Sequence, residues 1–279
     1  MPEMPEVETI VRGLRQGGQV GPPAVGRVFT EVQVLWPRSI AVPEVAEFLQ
    51  RLIGQAVEVV YRRGKFVCFK LSRDTLLVHL RMSGDLRVEA PVSENGGPRP
   101  LKIHDRVVFY FQDGMRMVFN DARKFGRLWL VEDPEQVTGS LGPEPLDQNL
   151  SPAVFFQRLQ STQRQLKPLL LDQGFIAGLG NIYADEALHA AQLNPTRKAN
   201  SVRFDQAERL LVAIRQVLEE GIRRNGSSID WVYRGGEFQN NFRVYQRTGK
   251  PCPVCGTPIQ RKVIGQRSAH FCPVCQPES

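Results

Sequence analysis

The sequence predicts an α+β protein: an N-terminal antiparallel β-sandwich with flanking helices, then a helical region, then a metal-binding β-hairpin. Three observations predict this class. β-branched and aromatic runs crowd the N-terminal half, helical spacing takes over past Gly142-Pro143-Glu144-Pro145, and four of the five cysteines form two Cys-x2-Cys pairs near the end. At 279 residues the chain has the length for two ordinary domains. Composition divides it into 1–139, a linker at 140–150, a helical stretch over 151–240 and a cysteine-bearing segment over 241–279.

The elements follow in order. Val7, Ile10, Val11 and Leu14 recur at helical spacing, with Pro5 and Glu6 suited to a first turn. Pro2 and Glu3 therefore stand just ahead of a helix N-terminus, where free N–H groups favour negative charge. Arg27–Leu35, Val57–Leu71 and Thr75–Leu80 read as strands. Val107–Phe111 and Met115–Phe119 flank Gln112-Asp113-Gly114, and Asp-Gly between apolar runs marks a tight hairpin because primed turns need positive φ. Many short strands in series point to a sandwich. In the second half, Ser151-Pro152 reads as a cap and first turn. Leu166–Leu171 ends a second helix, Asn181–Gln192 forms a third and Ser201–Arg224 a long fourth.

Composition narrows the function. With 42% hydrophobic and 23% charged residues, wholesale disorder is excluded, and no apolar run is long enough to span a membrane. The acidic, proline-bearing start does not resemble a signal peptide, so a cytoplasmic protein is expected. The net charge of +7 is unevenly spread. Residues 1–150 hold 19 basic and 19 acidic side chains, whereas 151–279 hold 17 and 10. Such a basic half suits a polyanion, through phosphate neutralisation and counterion release, or equally a surface kept soluble by charge.

Cys252-x2-Cys255-x16-Cys272-x2-Cys275 has the spacing of two knuckles that close on one ion. Zinc is the expected occupant. Four thiolates leave no open coordination position, so the metal is structural and stiffens a hairpin too short for its own core. Cys68, in a strand pattern, reads as a small buried hydrophobe. Arg261, Lys262, Arg267 and His270 lie between the knuckles, either as a solvated tip or as a loop for a DNA groove. The glycines of 174–180 ahead of Asn181 fit either an anion-binding helix start or a close helix packing.

Pro2 follows Met1 at a position from which the initiator is readily removed, leaving a secondary amine. Such an amine can attack a sugar C1′ and form an iminium, an electron sink for elimination. Glu3 beside it could move protons. On the dipeptide alone, a helix-leading Pro-Glu is the simpler reading.

Several blocks then combine. Pro2–Thr9, His79–Gly84, Asp121–Gly126, Leu141–Leu146, Gly178–Glu186 and the terminal cysteines resemble, in order and over nearly the whole chain, the bacterial formamidopyrimidine-DNA glycosylases. The resemblance implies a bifunctional glycosylase and abasic lyase for oxidised purines in double-stranded DNA. It makes 1–139 the catalytic domain, 151–240 a helix–two-turn–helix DNA-binding domain and 241–279 a finger with one structural zinc. DNA is expected between the halves, and the protein is expected to act as a monomer away from membranes.

By the same resemblance, Pro2 is the nucleophile, Glu3 the acid/base and Glu6 its support. Lys65 serves phosphate contact and proton transfer in β-elimination, and Arg267 grips the lesion phosphates and assists δ-elimination. Met82, Arg123 and Phe125 enter the duplex, while His104, Arg164, Lys167 and Asn181 contact DNA. Chemistry at C1′ requires the nucleotide out of the stack, and a thioether, a guanidinium and an aromatic ring can fill, pair and wedge the gap. Residue patterns alone would put Met82 and Phe125 in the core. Two departures stand out: Met4 replaces a commoner leucine, and Ser227–Gln239, where the family's loop covers the flipped base, has an unusual sequence. The competing expectations are an endonuclease VIII-like pyrimidine glycosylase and a non-enzymatic zinc-ribbon DNA-binding protein.

Overall fold

A computed structural model describes residues 1–92, 99–228 and 235–278, which fall into two units. The first comprises 1–140 and 228–235, the second 141–227 and 236–279. Residues 229–234 of the expected base-covering loop lie outside the described residues.

The first unit begins with helix α1 (Met4–Gln16), whose Val7, Ile10, Val11 and Leu14 are buried as their spacing predicts. It continues through β1 (Phe29–Val34), β2 (Ile40–Val42), α2 (Val45–Leu52), β3 (Val57–Arg63), β4 (Phe66–Leu71), β5 (Thr75–His79) and β6 (Gly84–Glu89). β7 (Asp105–Phe111), β8 (Arg116–Asp121), β9 (Arg127–Val131) and the short α3 (Glu135–Thr138) complete it. Two sheets result, β1-β7-β8-β6 and β2-β9-β5-β4-β3. Every pairing in them is antiparallel except β2 with β9, at the edge of the second sheet. β5 sits inside that sheet and is buried along its length, which explains its unbroken apolar run. The run 57–71 is two strands, folded back at Gly64, where φ is +55°. The core joins both sheets to α1 and is rich in aromatics such as Phe29, Phe109 and Phe119.

β2, α2, β6, β9 and α3 were not anticipated from the sequence. β6 carries Asp85, Arg87 and Glu89 between its buried Leu86 and Val88, so it does not read as an apolar strand. Its charges find partners on β7 and β8. Arg87 pairs with Asp105 at 2.8 Å, and Arg116 with Glu89 at 2.8 Å. β9 was missed because its partners, β2 and β5, are distant in sequence.

The second unit packs α4 (Pro152–Gln160), α5 (Leu166–Leu171), α6 (Asn181–Ala190) and α7 (Phe204–Arg223), followed by the hairpin β10 (Gln260–Ile264) and β11 (Arg267–Phe271). Ser151 caps α4 by accepting the N–H of Val154. Residues 142–143 are not a loose tether. The Gly142 N–H donates to the Gln173 carbonyl and the Ala177 N–H to that of Pro143, so this stretch braces the glycine turn before α6. Ser201 lies in a separate 3-10 turn rather than opening α7.

Candidate functional site

At the head of α1, Pro2, Glu3 and Glu6 are all buried. The Glu6 carboxylate accepts the backbone N–H of Glu3 at 2.8 Å, the return arm of a capping box, so Glu6 holds the residue carrying the expected acid. With Met1 attached, the Pro2 nitrogen is a tertiary amide without nucleophilic character; amine chemistry requires Met1 to be removed.

Charged contacts fix α1 along β3. Arg15 donates to the Val60 carbonyl at 2.8 and 3.0 Å, and Arg62 pairs with Glu8 at 3.3 Å. These contacts run in step: moving toward the helix N-terminus means moving toward the turn between β3 and β4. That turn carries Lys65, which is buried. His79 beside it on β5 is kept neutral, its pKa lowered to about 3 by burial first, then by Arg81 and Lys65. Its Nδ1 accepts the N–H of Arg81 at 3.0 Å, which leaves the ring proton on Nε2. A second cation so close to Lys65 would oppose its charge, and the neutral ring avoids that.

Met82, Arg123 and Phe125 lie on two loops of this unit. Met82 is half-buried, Arg123 is exposed, and Phe125 is 49% exposed with the Arg123 guanidinium 5.0 Å from its ring centre. An aromatic ring left this open serves no core. A wholly buried carboxylate joins the loops. Asp121 accepts from the Ser83 hydroxyl in a very short hydrogen bond, from the Arg123 N–H at 3.2 Å and from the Gly126 N–H at 2.7 Å. Ser83 adjoins Met82, and residues 123 and 126 flank Phe125. Between them Lys124 takes a positive φ of +62°, its ammonium 4.0 Å from the Trp36 ring centre. Gly126 is required: a Cβ there would collide with the Phe119 ring. His104 is exposed; its carbonyl accepts the Asp121 N–H, and Arg106 bridges its ring to the Asp121 carbonyl. Asp121, which ties the two loops together, was assigned no role from sequence.

In the second unit, Gln173 organises the glycine turn, accepting the Gly178 N–H and donating to the Leu179 carbonyl. Asn181 then opens α6 half-buried, with no partner for its Oδ1 among the described residues. Lys167 needs correction. Expected at the DNA, its side chain is 0% exposed, donating to Asp185 at 2.7 Å and to the Asn181 carbonyl at 2.8 Å. It supports Asn181 and reaches no phosphate from that position. Arg164 is exposed but paired with Asp172 at 2.5 Å.

The four cysteine sulfurs lie within 4.8 Å of one another. A tetrahedral zinc with bonds of about 2.3 Å would set them about 3.8 Å apart. Separations of 3.9 Å for Cys252–Cys275 and 3.4 Å for Cys255–Cys272 bracket that value, so the donor set fits one structural zinc. The local cluster of Val244, Cys252, Ile259 and Cys272 is small, which is why a metal is needed. Gly265 and Gln266 both take positive φ, the signature of a type I′ turn, and present exposed Arg267 at the start of β11.

α6 fastens this hairpin. Asp185 accepts the His270 N–H and lies 3.0 Å from its Nδ1, while Glu186 accepts three consecutive N–H groups, of Arg243, Val244 and Tyr245. Burial raises the Glu186 pKa despite these donors. Neither acid was assigned a role from sequence.

Three family models match the chain. The formamidopyrimidine-DNA glycosylase N-terminal domain covers residues 1–128, the helix–two-turn–helix domain of the same enzymes 141–232, and a zinc finger found in these enzymes and in isoleucyl-tRNA synthetases 249–277. The chain is 41% identical to the formamidopyrimidine-DNA glycosylase of Protochlamydia amoebophila over 99% of both chains, and 42% identical to that of Geobacillus kaustophilus over 99% of this chain and all of the other. A solved complex of wild-type Lactococcus lactis Fpg (MutM) with DNA containing N7-benzyl-Fapy-dG matches at TM-score 0.89 and 31% identity, over 99% of this chain and all of that one. A MutM complex with DNA containing carbocyclic 8-oxo-G matches at 0.88 and 32%, with the same coverage. The chain therefore belongs to the formamidopyrimidine-DNA glycosylase family.

Proposed function

We propose that this protein excises oxidised purines, 8-oxoguanine and formamidopyrimidines, from duplex DNA and then cleaves the strand at the abasic site. The substrates are those of the relatives: solved complexes hold DNA containing 8-oxo-G and Fapy-dG. The supporting observation specific to this chain is the pairing, in one unit, of a buried Pro2-Glu3 helix head with an exposed Phe125 on a loop locked by Asp121.

In this reading Met82, Arg123 and Phe125 fill the space left by the flipped nucleotide. The Pro2 amine, freed of Met1, attacks C1′; the C1′–N9 bond breaks and the base departs with the proton that the Pro2 nitrogen sheds, and Glu3 then protonates the ring oxygen O4′ as the C1′–O4′ bond opens. The resulting iminium draws electrons from C2′. Loss of a C2′ proton, with Lys65 in the relay, expels the 3′ phosphate. A second elimination expels the 5′ phosphate, and Arg267 stabilises the departing charge. His104, Arg164 and Asn181 hold the backbone. We further propose the divisions 1–139 (catalytic), 140–150 (linker), 151–240 (DNA-binding) and 241–279 (finger), a monomeric enzyme, and a cytoplasmic location. Among the described residues no helix is long and apolar enough to cross a membrane.

Borohydride reduction during reaction with an 8-oxoguanine:cytosine duplex tests the proposal. A covalent adduct on the lesion strand is expected, with loss of both adduct and cleavage in Pro2→Gly. Full-rate cleavage by that variant overturns the amine mechanism. Binding without an adduct in the wild type marks a non-enzymatic protein, and preference for thymine glycol marks a pyrimidine glycosylase.

A further inference from the structure

We propose that His189 is an outer-sphere partner of the zinc site, donating its Nε2–H to the Cys252 thiolate and so retaining the metal and fastening the finger to α6. The inference rests on the four-cysteine zinc reading alone and is independent of the chemistry at Pro2. His189 Nε2 lies 3.4 Å from Cys252 Sγ, and both side chains are essentially buried, His189 at 2% exposure. Nδ1 is also buried, with no partner among the described residues. An imidazole enclosed with one nitrogen unpaired is a poor filler; a phenylalanine would occupy the same space without a stranded polar atom. The other nitrogen must carry the reason for a histidine here, and Cys252 is its one partner among the described residues.

The chemistry is favourable. Four thiolates on one Zn²⁺ carry a net charge of −2, concentrated on sulfur. An N–H donor spreads that charge, lowers the tendency of the sulfur to take a proton or meet an electrophile, and fixes its direction toward the metal. Cys252 also receives the Val254 N–H at 3.5 Å, the bond internal to a knuckle. His189 differs in coming from another element. It lies one helical turn beyond Asp185, so the two side chains share a face of α6. That face holds β11 through Asp185 and a zinc ligand through His189. The helix that opens with Asn181 and the hairpin that presents Arg267 are thus fastened at two points.

Zinc-loaded full-length protein tests this. His189→Phe keeps the volume and removes the donor; His189→Gln restores an N–H. Zinc transfer to a chromogenic chelator is expected to be about 10-fold or more faster in His189→Phe, the usual range for losing a hydrogen bond to a metal ligand, and slower again in His189→Gln. In the cobalt-substituted proteins the thiolate-to-metal charge-transfer band should shift between wild type and His189→Phe. Equal transfer rates and superimposable cobalt spectra overturn the proposal. Should His189→Phe not fold, ¹⁵N spectra of the unmutated zinc protein decide: Nε2 is expected to carry the proton and Nδ1 to be bare. The opposite tautomer refutes the assignment.

Discussion

Asp121→Asn is the substitution that separates duplex insertion from chemistry at the sugar. The native carboxylate accepts from Ser83 Oγ, Arg123 N and Gly126 N. An asparagine of the same shape offers one carbonyl oxygen and an NH2. With the oxygen turned to Gly126 N, the NH2 faces Ser83 Oγ, which can accept, and the Arg123 N–H, which cannot. Arg123 N keeps its bond to Ser83 Oγ at 3.0 Å, while the buried Ser83 O–H loses its acceptor. The change converts charge-assisted bonds into neutral ones and removes one, about 2–4 kcal/mol in all. The fold should survive, since domains commonly have about 5–15 kcal/mol. If about 1.4–2.8 kcal/mol of this appears as lost order in the inserted loops, excision of 8-oxoguanine slows about 10- to 100-fold. A preformed abasic site needs far less unstacking, so its cleavage should change little. Single-turnover rates on the two duplexes provide the assay. Equal losses on both would mean that Asp121 supports the unit generally, and no loss on either would mean that the loops need no such tie.

Other outcomes follow from the same geometry. His79 is buried neutral with a pKa of about 3 against an ordinary 6.5, so the unfolded chain binds the extra proton between those values. Stability should therefore be complete above about pH 7 and fall by about 2 kcal/mol by pH 5 from this group alone. Urea unfolding at both pH values would show it, and His79→Gln should lose that part of the pH dependence; an unchanged dependence would place the titration elsewhere. Stripping zinc, or Cys272→Ala, should abolish DNA binding while leaving the β-rich circular dichroism of residues 1–140 in place, and retained binding would make the finger dispensable. Lys167→Met should destabilise the protein by about 3–5 kcal/mol by removing the cation from the buried Asp185 carboxylate, without altering the salt dependence of DNA binding. Arg267→Ala should do the reverse, reducing the salt slope by about 1. A reduced slope in Lys167→Met would restore it to the phosphate contacts.

What could be read from the chain was local. Asp113-Gly114 marks the hairpin, but its loop is Gln112-Asp113-Gly114 between Phe111 and Met115 and only Gly114 takes positive φ, +80°, so a three-residue turn replaces the two-residue primed turn the dipeptide suggests. The zinc ligands are legible because a knuckle has fixed spacing. The leading helix is legible because one face of four apolar residues suffices. Lys167 was assigned by resemblance and not by any local pattern, and only the fold shows that an acid 18 positions later meets it in the interior. The strand β6 hid behind charges whose partners, Asp105 and Arg116, lie on other strands.

The same distinction explains how a chain of net charge +7 prepares a surface for DNA. Four acids near the expected contacts are turned inward, where each accepts at least one backbone N–H: Glu6 at the head of α1, Asp121 under the loops of Met82 and Phe125, Asp185 and Glu186 beneath the zinc hairpin; Asp172, 39% exposed beside Arg164, is an exception. The cations of those segments, Arg123 and Arg267, face outward. A carboxylate left exposed within a Debye length of about 8 Å would repel the phosphates those cations are placed to meet. Buried, the same charge orders the loop that carries the cation. A sequence records both residues as charged, and only the three-dimensional arrangement separates the one that binds from the one that positions.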